Sequence, residues 1–258
     1  MPTAIVRGRA IDYVRQPPAR PRPGAPVIVF LHEGLGSVSL WRDFPQQVAD
    51  ATGCEAVVYS RHGYGRSAAL DAPRTPGYMH DEALLALPEF LDGLGIECPL
   101  LCGHSDGGSI ALIHAGGSGR PVAGVIAMAP HVMVENVTLT GIAAAGETWR
   151  DTDLAARLAR HHADAARVFR EWHDTWLSPA FRDWNIEEFV PPITAPILAI
   201  QGEDDEYATM EQIDRIARLG QNVACLKLAD CGHSPQRDQP AAVIAAFAAF
   251  VSRLTGNT

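Results

Sequence analysis

Six short apolar runs punctuate the chain: VIVFLH (27–32), AVVYS (56–60), PLLCG (99–103), VAGVIAMA (122–129), PILAIQG (196–202) and VACLKL (223–228). Gly, Pro or polar clusters bound each one, as expected of strands buried on both faces of a parallel sheet. Between them lie stretches with helical spacing, at 40–52, 80–94, 108–116, 210–220 and 241–254. Pro88 inside the second is expected to bend or split it. This alternation predicts an α/β fold, a three-layer sandwich of helices about a mostly parallel sheet. The turn-rich PPARPRPGAP (17–26) is expected to separate an N-terminal hairpin from the main body.

One region breaks the alternation. Residues 131–192 hold no convincing strand, only amphipathic helical text such as LAARLARHHADAARVFREWHDTWL (154–177). A helical block between two strands predicts a small lid over the sheet's C-terminal edge, where open α/β sheets bind ligands. The expected organisation is therefore a core domain over 1–130, a lid insertion over 131–192, and the rest of the core over 193–258.

Composition narrows the partners. With 47% hydrophobic and 20% charged residues, the chain reads as an ordinary globular protein. No apolar run approaches the ~20 residues needed to span a bilayer. The N-terminus MPTAIVRGRAIDYV has no basic segment followed by an apolar stretch. The net charge of −9, with scattered Lys and Arg, argues against nucleic acid. Five cysteines without CxxC spacing point to reduced thiols. These features predict a cytoplasmic protein acting on a small molecule, with no membrane or nucleic-acid partner, and leave monomer and homodimer equally open. No HExxH or comparable metal spacing occurs among His161, His162 and His173. No metal and no cofactor is expected.

The chemistry concentrates in LCGHSDGGS (101–109). GHSDG fits G-x-S-x-G with a buried strand before it and a helix after it, the context of a strained nucleophile turn. Ser105 is the candidate nucleophile. Gly103 and Gly107 stand where strand and helix backbones must touch. A serine hydroxyl needs a base, and the base needs a third group to orient it. Both are expected at later strand ends. His233, in ADCGHSP after the last strand, is the base candidate; Glu203, Asp204, Asp205 and Glu206 offer the acid. The oxyanion requires two backbone N–H donors, one from Asp106 and one from the loop HEGLGS (32–37).

Together HEGLGS, GYGRS (63–67), GHSDGG (103–108), GEDD (202–205) and GHSP (232–235) resemble the α/β-hydrolase superfamily of serine-nucleophile esterase type, across nearly the whole chain. That resemblance implies Asp205 as the acid, three residues after the strand-ending glycine, and Gly34 as the second oxyanion donor. The chain departs from the family pattern at Glu33, where glycine is usual. It departs again at Ser60 and His62, where the family has Asp and Arg. SDGG, a short helical lid and a proline-led return strand look most like the biphenyl hydrolase-like (valacyclovir hydrolase) group, in which the Asp after the nucleophile is associated with amino-ester recognition.

Asp106 raises an electrostatic question. A carboxylate ~7 Å from the developing oxyanion, at an effective dielectric of ~20, would oppose it by about 2.4 kcal/mol, roughly fifty-fold in rate. Either an arginine pairs with it, Arg42 and Arg61 being the candidates, or Asp106 and Glu33 meet a cationic group on the substrate. His131, Trp172 and Trp176 are the further pocket candidates, alongside Trp149, Trp184, Val132, Met133 and Leu139.

The leading expectation is a serine hydrolase acting on a small ester, an amino-acid or aromatic ester included, through an acyl-enzyme. The runner-up is hydrolysis of a carbon–carbon bond in a ring-fission product, or of an enol-lactone, by the same residues. A non-catalytic ligand-binding member of the fold is the alternative outside enzymes.

Overall fold

Apolar residues on successive positions need partners on both faces of a sheet, and here they have them. In the computed structural model, which describes residues 2–256, eight strands form one sheet. They are β1 (Thr3–Val6), β2 (Arg9–Gln16), β3 (Ile28–Leu31), β4 (Ala56–Tyr59), β5 (Leu100–His104), β6 (Gly124–Met128), β7 (Ile197–Gly202) and β8 (Val223–Leu228). Their order is β1-β2-β4-β3-β5-β6-β7-β8. β1 and β2 form the antiparallel hairpin, β2 runs antiparallel to β4, and all other pairings are parallel.

Every residue of β3 to β7 is buried. Alternate side chains feed two cores. Ile28, Phe30, Val58, Leu100, Ile126 and Ile200 pack against α1 (Phe44–Thr52) and, at the chain's end, Pro240–Leu254. Val29, Leu31, Val57, Leu101 and Val125 face the opposite way, towards Phe90, Ile110 and Ile113. β8 differs from expectation: only Leu228 in it is buried, because an edge strand has a single neighbour.

The helix expected to bend at Pro88 does so by a π-turn. α2 (Tyr78–Asp81) passes through the π-turn Glu82–Ala86 into α3 (Leu87–Gly93), with Pro88 in its first turn. Proline has no N–H to continue the ladder, and the wider turn absorbs the gap. α4 (Asp106–Gly117) follows β5 directly.

Between β6 and β7 the chain is helical: α5 (Asn136–Asp151), α6 (Leu154–Leu158), α7 (Ala165–Trp176) and the 3₁₀ turns Pro179–Phe181 and Glu187–Phe189. The stretch 154–177 is not one helix. Asp164 caps α7 by accepting the Arg167 N–H at 2.9 Å, and the residues before it anchor to the core. His162 accepts from Gly65 N at 3.0 Å and donates through Nε2 to the Leu35 carbonyl at 3.0 Å. Ser39 Oγ meets His161 Nδ1 at 2.9 Å. His162 is thus a buried anchor between this segment and the core. The chain continues through α8 (Glu211–Leu219), α9 (Pro235–Asp238) and α10 (Pro240–Leu254). Among the described residues no helix is long and apolar enough to cross a membrane.

Candidate active site

The turn from β5 into α4 leaves no room for side chains at its glycines. A Cβ on Gly103 would lie 2.0 Å from the Gly107 carbonyl oxygen, and one on Gly107 would lie 2.0 Å from that of Leu31. Between them Ser105 is held at φ 53, ψ −120, a conformation that non-glycine residues occupy only under strain. The strain exposes the hydroxyl at the end of the sheet. Ser105 Oγ lies 3.0 Å from His233 Nε2, and His233 Nδ1 lies 2.9 and 3.0 Å from the two oxygens of Asp205.

Of the four acids near β7, it is Asp205 that reaches the imidazole. Tyr207 N–H donates to its Oδ1 at 2.8 Å and Gln201 Nε2 to its Oδ2 at 3.3 Å. Burial works against the ionised form, but the His233 hydrogen bond and charge and the Tyr207 N–H together hold the carboxyl below its ordinary range. An ionised Asp205 fixes the proton of His233 on Nδ1 and leaves Nε2 free to accept from Ser105. Glu206 has a different place, accepting the His233 backbone N–H at 3.1 Å. His104 donates through Nε2 to the His233 carbonyl at 2.7 Å, steadying the same loop.

A cavity of about 270 Å³ opens beside Ser105. Glu33, Gly34, His131, Trp172 and Trp176 line it, together with Arg237, Tyr207 and Thr138, which nothing in the sequence pattern singled out. Gly34 packs beneath Trp172: a Cβ there would lie 2.3 Å from the indole. Asp106 N–H is the first of α4 and has no intrahelical acceptor. The other aromatic candidates pack the lid instead, Trp149 stacked on Phe169 and Trp184 on Phe181.

One expectation changes here. The Asp106 carboxylate is not part of the cavity wall; it is 1% exposed and faces Tyr78 OH at 2.7 Å and Arg61 at 3.5 Å. Of the two arginines considered, Arg61 is the partner. The reading of Asp106 as a receptor for a cationic substrate group is therefore overturned: its charge points into the protein. The same guanidinium donates to the carbonyls of His32 at 3.2 Å and Glu33 at 2.9 Å, so it also pins the loop that carries Gly34. Glu33 does face the cavity, 3.5 Å from His104 and 3.7 Å from Arg237. Burial opposes its charge, yet His104 and Arg237 outweigh that and hold the carboxyl well below the usual range. The departure at Ser60 brings its own hydrogen bonding. Asp12 of β2 does the bonding there, accepting from Ser67 Oγ at 2.9 Å, Arg66 N at 3.1 Å and Ser60 Oγ at 3.4 Å.

His131 sits 5.8 Å from the His233 ring and 5.1 Å from Trp176. Burial, with His233 nearby, lowers its pKa to about 4. Its ordinary value is 6.5. Below that value the unfolded chain binds a proton on this ring that the folded chain does not, so stability falls as pH falls, by up to about 3 kcal/mol at pH 4 from this group. The buried rings of His32, His114 and His162 shift in the same direction, each chiefly through burial. Urea midpoints measured from pH 7.5 to 4.5 are expected to drop less steeply in His131→Asn than in the wild type; parallel curves would refute this.

A family model described as the alpha/beta hydrolase family matches residues 28–246. The chain is 25% identical over 254 residues to the 2-succinyl-6-hydroxy-2,4-cyclohexadiene-1-carboxylate synthase of Salmonella paratyphi A, covering 88% of this chain and 94% of that protein. Its fold is like that of the enol-lactonase from Burkholderia xenovorans LB400, with a TM-score of 0.75 at 21% identity over 97% of this chain and 100% of that one. Proline iminopeptidase from Mycobacterium smegmatis gives 0.75 at 21% identity over 98% of both chains. With the family match spanning most of its length, the chain belongs to the alpha/beta hydrolase family.

Proposed function

We propose that this protein is a serine hydrolase that cleaves small carboxylic esters through an acyl-enzyme. The observation that carries the reading is the unbroken relay from Ser105 Oγ through His233 to Asp205, with every link at 2.9–3.0 Å. Ser105 Oγ attacks the ester carbonyl carbon and gives its proton to His233 Nε2. Asp205 stabilises the imidazolium without taking the proton. The oxyanion is accepted by the N–H groups of Gly34 and Asp106. Collapse expels the alkoxide, which takes the proton from His233. Water then attacks the acyl-enzyme with His233 as base, releasing the acid and restoring Ser105. The cavity of about 270 Å³ suits a compact acyl group.

The fold likeness to an enol-lactonase and to a meta-cleavage product hydrolase supports including an enol-lactone and a ring-fission diketone in the substrate panel. A fluorophosphonate separates catalysis from mere ligand binding. Intact-mass analysis is expected to find one adduct on the wild type and none on Ser105→Ala. Folded wild-type protein that takes up no adduct would overturn the reading.

A further inference from the structure

Two residues that line the cavity each carry a buried polar atom without a partner. His131 and Thr138 both line the cavity beside Ser105, and their residues are 2% and 1% exposed. Neither His131 Nδ1 nor Thr138 Oγ1 has a hydrogen-bond partner among the described residues. Buried polar atoms are rarely left so, because an unmade hydrogen bond is costly.

The chemistry of each atom is constrained. His131 Nε2 lies 3.3 Å from the Tyr207 carbonyl oxygen, which can only accept, so the ring proton sits on Nε2 and Nδ1 presents a lone pair. Burial keeps the ring neutral. Thr138 lies in the first turn of α5. Threonines further along that helix bond their hydroxyls to the carbonyl one turn back, Thr140 to Asn136 at 2.9 Å and Thr148 to Ala144 at 3.1 Å. For Thr138 the residue one turn back is Val134, before the helix begins, and its hydroxyl makes no such bond. Trp172, Trp176, Ile142, Leu154 and Leu158 supply the apolar part of the wall, and Glu33, Glu206 and Arg237 its charged part.

We propose that His131 Nδ1 and Thr138 Oγ1 form a polar subsite that receives a hydroxyl group on the substrate, making a small hydroxylated ester the preferred class. This rests on the ester-hydrolase reading above. A hydroxyl supplies the hydrogen that Nδ1 needs and a lone pair for the threonine O–H. A ketone has no hydrogen for Nδ1. An ammonium would bring a charge to a place where His131 itself resists one and where His233 becomes charged during turnover.

Two ester pairs test it by kcat/KM. The enantiomers of para-nitrophenyl β-hydroxybutyrate against para-nitrophenyl butyrate probe the acyl side; hydroxyethyl butyrate against ethyl butyrate probes the alcohol side. The wild type is expected to favour the hydroxylated member of one pair on the order of ten-fold, and on the acyl side to favour one enantiomer. That ratio should fall to about one in Thr138→Val and His131→Phe and persist in Thr138→Ser, which keeps the hydroxyl. Wild-type ratios near one in both pairs, with plain butyrate turned over, would overturn the subsite and leave the hydrolase reading standing. A β-aminobutyrate ester preferred over the β-hydroxybutyrate ester would overturn it in favour of a cation site. A chain that neither labels with fluorophosphonate nor turns over any ester would overturn both readings.

Discussion

Replacing Ser105 by alanine is expected to lower kcat/KM on every ester the wild type cleaves by about a million-fold, while the protein stays folded. Ser105 Oγ meets the His233 ring at 3.0 Å, and the residue lines the cavity. On the proposed mechanism its loss removes the attacking atom and little else. On that mechanism Ser105, His233 and Asp205 act as one unit, so their effects are not expected to add. His233→Ala is expected to cost nearly as much, and Ser105→Ala with His233→Ala together no more than either alone. The residual rate belongs to the oxyanion donors and the cavity. Single-turnover kinetics on an activated ester measure this directly. A Ser105→Ala loss below a hundred-fold would mean that another group is the nucleophile.

Arg61→Ala is expected to destabilise the fold by about 3–5 kcal/mol, the cost of leaving a buried charge without its partner. Arg61 and Asp106 are each 1% exposed. Removing the guanidinium would leave the Asp106 carboxylate with only the Tyr78 hydroxyl, and would strip the carbonyls of His32 and Glu33 of a donor. Asp106→Asn in the same background is expected to recover part of the loss, because the orphaned charge is then gone; the shortfall measures the pinning of the oxyanion loop. Urea denaturation of the four proteins of this cycle gives the coupling. An Arg61→Ala cost below about 1 kcal/mol would show that the pair is not what neutralises Asp106. In the protein that remains folded, the uncompensated carboxylate opposes the oxyanion, and kcat is expected to fall by roughly the fifty-fold that a like charge ~7 Å away imposes.

The sheet was legible because burial on both faces demands uninterrupted apolar runs, and β3 to β7 are such runs. β8 carries a similar run yet lies at the edge; position in the sheet is set by crossovers, which no single run encodes. The turn at Ser105 and the place of His233 were legible for a related reason: Gly103 and Gly107 stand two residues either side of Ser105, Gly232 directly precedes His233, and both lie past the ends of strands. The choice of Asp205 over its acidic neighbours came from the family resemblance, and the loop geometry places it against His233. Asp106 was half legible. The oxyanion role proposed for its N–H follows from adjacency to Ser105 and Arg61 was one of two candidate partners, but Tyr78 stands 28 residues before it and meets it only through the fold. Thr138 left no signal at all, because a threonine near a helix start is ordinary capping text. What sets it apart is the carbonyl it fails to reach.

The charge beside Ser105 is cancelled by a guanidinium that water does not reach, not by ions drawn from solution. At physiological ionic strength charges in water are screened over about 8 Å, but neither Arg61 nor Asp106 lies in water. Dissolved salt therefore has little hold on that pair. Ser105 sits in a field written into the fold, much the same in dilute buffer as in brine.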